Sequence, residues 1–213
     1  MMSGRLCTRI LQRPAALTVC LSLALLASCS TMGSKQTAVV TVKNDAAAFS
    51  KLGDGFLASR QYSSALQYYG EALDANLSVD NIEGAIQARS SLGRVYKAMG
   101  NLDDAEREFG DALEDARAFG NPSIVALALS NLGELYYARS DAKAADALFA
   151  EAETMAPEDE AIQSVIAHNR GVVAMARGDI EAARAYFTKA ATANEKAGRF
   201  VDLGSNRYAL ASL

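Results

Sequence analysis

The stretch IQARSSLGRVYKAMGNLDDAEREFGDALEDARAFG, residues 86–120, repeats its key positions on both sides at a nearly fixed step. Leu92 and Gly93 recur as Leu52/Gly53 and Leu132/Gly133, Ala105 as Ala65, Ala145 and Ala183, Phe109 as Tyr69, Phe149 and Phe187, and Ala112 as Ala72, Ala152 and Ala190. The steps are 40, 40 and 38 residues for the alanine–aromatic–alanine set. Self-similarity at such a period marks a stacked-repeat architecture, in which each unit buries its apolar face on its neighbours. Within the unit, Ala85, Ala88, Leu92, Gly93 and Tyr96 fall three, four and seven apart, the spacing of one helix face. Gly100-Asn101 breaks that helix, the glycine taking a left-handed stop and the asparagine capping the second helix of the unit. Leu102, Ala105, Phe109 and Ala112 form a second stripe that Gly120 ends. Gly93 and Ala105 let the two backbones approach, and Phe109 fills the space toward the neighbouring unit.

Leu92-Gly93-x-x-Tyr96, a turn, Ala105, Phe109 and Ala112 resemble the motif of the tetratricopeptide repeat family, in the form with longer helices and wider turns. The resemblance covers residues 46–213 and implies an all-α, right-handed α-solenoid of helix-turn-helix repeats. The repeats fall near 46–79, 80–120, 121–156 and 157–197, followed by a capping helix at 200–213. Arg60 replaces the turn glycine of the first repeat. The third begins at Asn121-Pro122, a cap followed by the proline favoured in a first helical turn. The fourth is degenerate, with Arg170 where leucine is expected and Ala174 where the aromatic should be. A solenoid's last units need a wetter outer face, which such degeneracy suits.

The first 28 residues read as an export signal. Arg5, Arg9 and Arg13 precede an apolar run from Pro14 to Ala27, short for a bilayer span and right for a signal core. The run closes on Leu26-Ala27-Ser28-Cys29, which resembles the bacterial lipobox. That resemblance implies cleavage before Cys29, acylation of its thiol and of the new amino terminus, palmitate being one such chain, and a lipoprotein facing the periplasm. Two or three chains at about 0.8 kcal/mol per buried methylene hold a protein stably on a membrane. Ser30 rather than Asp after the cysteine implies the outer membrane by the enterobacterial sorting pattern. Cys7 and Cys20 leave with the signal, so no disulfide is expected. Residues 29–45 then read as the acylated cysteine and a flexible tether without a helical stripe, with 38–42 able to form a short strand.

The charge after residue 28 is −7, from 18 basic and 25 acidic residues, and offers no basic stripe for nucleic acid. No catalytic set, metal cluster or cofactor motif is read. His168 is the only histidine, the serines lack a nucleophile-elbow pattern, and the carboxylates lie on solvated faces or in first helical turns.

The family resemblance implies that first helices line a binding groove. By register its residues include Lys51, Asp54, Gln87, Ser90, Ser91, Arg94, Lys97, Ser130, Asn131, Glu134, Tyr137, His168, Asn169, Val172 and Met175. Asn131 and Asn169, one repeat apart, could hold the backbone of an extended peptide, or could solvate the groove and bond to a neighbouring helix. The two-carboxylate clamp of some family members fails here, because Ser50 and Asp54 stand where Lys and Asn are required. The expectation is a scaffold or assembly factor for an envelope protein or extended peptide, pilotin-like or outer-membrane-assembly-like. The alternative is an accessory subunit of a solute transporter that takes a small ligand. A buried apolar pocket among Tyr137, Val172 and Met175 would favour the latter, and an open polar groove the former.

Overall fold

The computed structural model describes residues 14–213, with side chains described from residue 36. The basic start of the signal, Arg5, Arg9 and Arg13, lies outside the described residues with Cys7, as do the side chains of Cys20 and Cys29. Among the described residues there are nine helices and no strand: α1 (Pro14–Ala58), α2 (Tyr62–Ser78), α3 (Ile82–Met99), α4 (Leu102–Phe119), α5 (Pro122–Ala138), α6 (Ala142–Met155), α7 (Glu160–Ala176), α8 (Ile180–Lys196) and α9 (Phe200–Ala211). The chain divides into two units, residues 1–45 and 46–213.

Within the first unit, residues 30–45 are helical rather than the extended tether or short strand expected. No glycine or proline stands between Ser34 and Leu52 to break the helix. The hydroxyl of Thr41 donates to Thr37 O at 3.0 Å, a bond to the preceding turn that only a helix offers.

The second unit is an α-solenoid of helix-turn-helix repeats. The end of α1 with α2, where Tyr69 meets Gly53 and Asp54 and Tyr68 stacks on Phe56, then α3–α4, α5–α6 and α7–α8, form four antiparallel pairs, and α9 packs on α8. First helices also touch first helices, α3 against α5 and α5 against α7. The aromatic residues found by the period, Tyr69, Phe109, Phe149 and Phe187, are all buried to within 1% of full enclosure. Each ring lies over the glycine of its own first helix. A Cβ added at Gly53, Gly93, Gly133 or Gly171 would sit 2.7, 2.6, 2.6 and 2.6 Å from the ring of Tyr69, Phe109, Phe149 and Phe187 respectively. Phe109 also clusters with Leu135 of the next repeat, so it seals both its own pair and the joint beyond it.

The motif leucine packs on the second helix of the preceding repeat. Leu92 joins Ala65 and Tyr69, and Leu132 joins Ala105 and Phe109. Leu52, in the first repeat, meets no earlier second helix among the described residues and is 47% exposed. In the fourth repeat Arg170 takes the leucine's place without loss of the joint. Its Nη1 donates to Glu153 Oε2 on α6 at 2.6 Å, its Nε lies 3.3 Å from Asp146 on the same helix, and its guanidinium sits 4.7 Å over the Tyr186 ring. Burial alone would raise the Glu153 carboxyl, but Lys189 and Arg170 together hold it below its ordinary range.

The turns from first to second helix repeat as faithfully as the helices. Arg60, Gly100, Ser140 and Gly178 all take positive φ, so Arg60 adopts the left-handed conformation of the glycine it replaces. Asn121 caps α5 as expected, its Oδ1 accepting from Ser123 N and Ile124 N. Asn101 stands at the N-cap of α4 but makes no side-chain capping bond, contrary to expectation. Asp141 and Asp179, at the equivalent sites of α6 and α8, do accept one. Their charge is drawn to the positive helix end more strongly than a neutral amide. The last helix, read as a cap, carries exposed apolar side chains. Phe200, Val201 and Tyr208 are 74%, 85% and 78% exposed, because α9 keeps apolar residues on the side that α8 leaves open.

Gly133→Ala drives a methyl into a ring that cannot move, since Phe149 is 1% exposed. Overpacking of this kind costs about 1–3 kcal/mol, so the variant should unfold at lower denaturant with an unchanged m-value. Wild-type stability in Gly133→Ala would mean that the close approach carries no weight.

Candidate functional site

First helices build most of a polar face. α1, α3 and α5 border a cleft of about 340 Å³ lined by Ser50, Asp54, Gln87, Ser90, Ser91, Arg94 and Asn131, over a floor of Ile86, Ile124, Leu127 and Ala128. Of the residues expected here, Asn131, Gln87 and Ser90 make no side-chain bond to any described residue, so their amides and hydroxyl are open to a ligand. Arg94 is 45% exposed at the side chain, its Nη2 donating to Ser91 Oγ at 3.0 Å and standing 3.6 Å from Asp54. Asp54 accepts the Tyr69 hydroxyl at 2.6 Å. Burial, and then that bond, push the Tyr69 hydroxyl up to about 12, so it remains a donor and holds Asp54 in place.

The second half of the face is closed on itself. Lys97 Nζ donates to Glu134 Oε2 at 2.5 Å, and Asn169 Nδ2 donates to Glu134 Oε1 at 3.0 Å and to Ser130 Oγ at 3.1 Å. Four of the expected groove positions are thereby joined across three repeats, so Asn169 bonds to a neighbouring helix while Asn131 stays free. Tyr137 and Val172 border a cleft of about 410 Å³ beside Lys97, Glu134 and Asn169. Met175 does not line that cleft and is 38% exposed, so the three residues form no buried apolar pocket.

His168 Nδ1 lies 2.7 Å from Asn206 Oδ1, and its ring is 5.5 Å from that of Phe187. Its partner is the amide of the last helix and neither a serine nor a carboxylate. Ser164 bonds to Ala161 O and Asn194, and Ser205 to Val201 O. Asn194 and Asn206, which lie outside the positions expected from register, are 2% and 1% exposed and enclose this end of the face. Their one signal in the sequence is an amide inside an apolar helix stripe, where burial requires a partner.

The N-terminal ends of α5 and α7 are joined by Asp159, the cap of α7. It accepts from Ala161 N and Ile162 N, both at 3.1 Å, while Ser123 Oγ of α5 donates to its Oδ2 at 2.7 Å. The Ser123 bond first, and the Ile162 amide next, hold its carboxyl below the ordinary range.

Tetratricopeptide repeat profiles match residues 84–158 and 166–196. No curated protein matches the sequence. Among solved structures, BtubC (BKLC) from P. vanneervenii is similar at 19% identity and TM-score 0.63, over 88% of this chain and 82% of its own. The Rap conjugation gene regulator of the plasmid pLS20, in complex with a Phr peptide, is similar at 23% identity and TM-score 0.61, over 75% of this chain. This chain spans only 44% of that regulator. Pseudomonas aeruginosa pilF is similar at 19% identity and TM-score 0.55, over 81% of this chain and 78% of its own. At these identities the likenesses establish the fold.

A carboxyl depressed in the folded state stabilises above its unfolded pKa, about 3.9 for Asp, and that stability is lost as pH falls through the folded value. Asp159→Asn keeps an amide oxygen for capping but removes the charge. Acid titration of stability should therefore show a smaller loss below about pH 4 in the variant than in the wild type. Equal losses would mean that the charge of Asp159 adds nothing.

Proposed function

This chain belongs to the tetratricopeptide repeat family, and we propose that it is a lipid-anchored scaffold of the bacterial envelope, holding an extended segment of another protein across α1, α3 and α5. The observation that carries this reading is the open half of the face. Gln87, Ser90 and Asn131 present unpartnered donors and acceptors on two successive helices, and Arg94 lies beside them over an apolar floor. Side-chain amides match the alternating donor and acceptor of an extended backbone, the isoleucine–leucine floor takes an aliphatic side chain, and Arg94 takes an acidic one. The peptide in the Rap regulator's complex is in keeping with this use of the fold. The partly polar 340 Å³ cleft, and the absence of a Tyr137–Val172–Met175 pocket, weigh against the small-ligand transporter accessory.

Anchoring rests on the sequence. The Leu26-Ala27-Ser28-Cys29 lipobox supplies the acylated Cys29, and Ser30 directs it to the outer membrane, facing the periplasm. Among the residues with described side chains no helix is long and apolar enough to cross a membrane, so in this reading attachment falls to the acyl chains. An assembly-factor role, pilotin-like or in outer-membrane biogenesis, needs a rigid repeat surface kept at the membrane. These two features would provide it.

Crosslinking and recovery from intact cells should yield an envelope protein whose affinity falls about tenfold in Gln87→Ala/Asn131→Ala. Thermal stability should stay within about 0.5 kcal/mol, since neither side chain has a partner in the fold. Recovery that is indifferent to the double substitution would move binding off this face. Separately, Cys29→Ala should lose fatty-acid labelling and membrane retention, and equal labelling of both forms would exclude the lipid anchor.

A further inference from the structure

Asn76 and Asn194 occupy the same position in the second helices of repeats one and four, each four residues after the small Ala72 or Ala190. Asn76 satisfies itself, its Nδ2 donating to Ala72 O at 2.8 Å and its Oδ1 accepting from Asn81 Nδ2 at 2.6 Å. Asn194 does not. Its Oδ1 accepts from Arg199 Nε at 2.8 Å and from Ser164 Oγ at 3.0 Å, which fixes which end of the amide is oxygen. Its Nδ2 has no partner among the described residues, although Asn194 is 2% exposed and lines a cavity of about 210 Å³ between α7, α8 and α9. Nδ2 reaches the surface of the cavity rather than being enclosed by protein, so it stands ready to donate to an occupant that accepts.

Three other residues lining the cavity offer acceptors. Asn206 Nδ2 donates to Asp202 O at 2.9 Å, so its Oδ1 faces His168 and accepts from Nδ1–H. In the Nδ1–H tautomer His168 Nε2 is then a free acceptor. Asn169 spends its Nδ2 on Ser130 and Glu134, leaving its Oδ1 free. The Asp202 carboxylate has no side-chain partner, since Arg199 turns to Asn194 and Ser164, and Arg207 to Glu195. Three acceptors, one of them charged, thus share a small cavity with the unpartnered Asn194 amide nitrogen.

We propose that this cavity binds a primary ammonium group with an oxygen acceptor on the adjacent carbon. The ammonium has three donors for His168, Asn169 and Asp202, and the neighbouring oxygen accepts from Asn194. Ethanolamine carries this pair of groups, and so does the free amino end of a peptide. The site is separate from the cleft of α1, α3 and α5, and it stands or falls independently of peptide binding there.

The test is a titration of the full-length 15N-labelled chain with ethanolamine and with glycinamide, using ethylene glycol as the neutral control. The reporters are the Asn194 side-chain amide and the His168 ring nitrogens. At least one amine should shift both reporters saturably, and ethylene glycol should not. Asp202→Asn should weaken binding about tenfold without changing the fold, since that side chain has no partner. Preference for glycinamide would assign the site to a peptide's amino end, and preference for ethanolamine to a free small amine. No saturable shift with either amine, an equal response to ethylene glycol, or unchanged affinity in Asp202→Asn would each overturn the proposal and leave the cavity to water.

Discussion

The approach of an aromatic ring to a bare glycine backbone is the constraint from which the repeat unit is built. Gly53, Gly93, Gly133 and Gly171 leave no room for a Cβ beneath Tyr69, Phe109, Phe149 and Phe187. Each buried ring contributes about 2 kcal/mol of apolar transfer, and it does so at the joint between first and second helix, where it also fixes their separation. Because Phe109 reaches Leu135 of the following repeat, the same ring sets the stacking as well. The first helices then lie side by side with their polar positions turned the same way, which is what makes a face of them.

Charged side chains take over where the apolar pattern fails. Arg139 at the end of α5 pairs with Glu106 of the preceding second helix at 2.7 Å, and Arg177 at the end of α7 reaches Asp146, the residue equivalent to Glu106, at 3.5 Å. Exposed pairs of this kind are worth little singly. Arg170 differs because its side chain is only 18% exposed and lies over Tyr186 while gripping Glu153. Lys189 on Glu153 and Asp146 on Arg170 back up the pair, so a small network rather than one contact fixes the joint between the third and fourth repeats where a leucine would stabilise it as well.

The architecture was legible because its signals are local and recur: a glycine that must be glycine, an aromatic sixteen residues later, and a turn between them. Arg170 read as degeneracy because sequence cannot show that Glu153 and Asp146 sit across the joint. Asn131 and Asn169 looked alike for the same reason, since only the fold reveals that Glu134 and Ser130 claim one amide and nothing claims the other. Residues 30–45 lack an amphipathic stripe and read as a tether, yet with no glycine or proline after Gly33 the absence of a stripe did not exclude a helix. Which way the amide of Asn194 points depended on whether residue i+5 was an asparagine or an arginine, a distinction no periodicity carries.

The division of the face into an open and a closed half has its cause in the same placement of charges. Lys97, Glu134 and Asn169 tie three first helices together and spend their own donors and acceptors on one another. A ligand arriving there would have to replace an ion pair and two hydrogen bonds before gaining any of its own, whereas at Gln87, Ser90 and Asn131 it displaces only water. The closed half also limits how far neighbouring first helices can slide, so the open half is presented on a surface already held in shape. Rigidity at one end therefore lowers the ordering cost of binding at the other, and the polar residues that bind no ligand serve the ones that do.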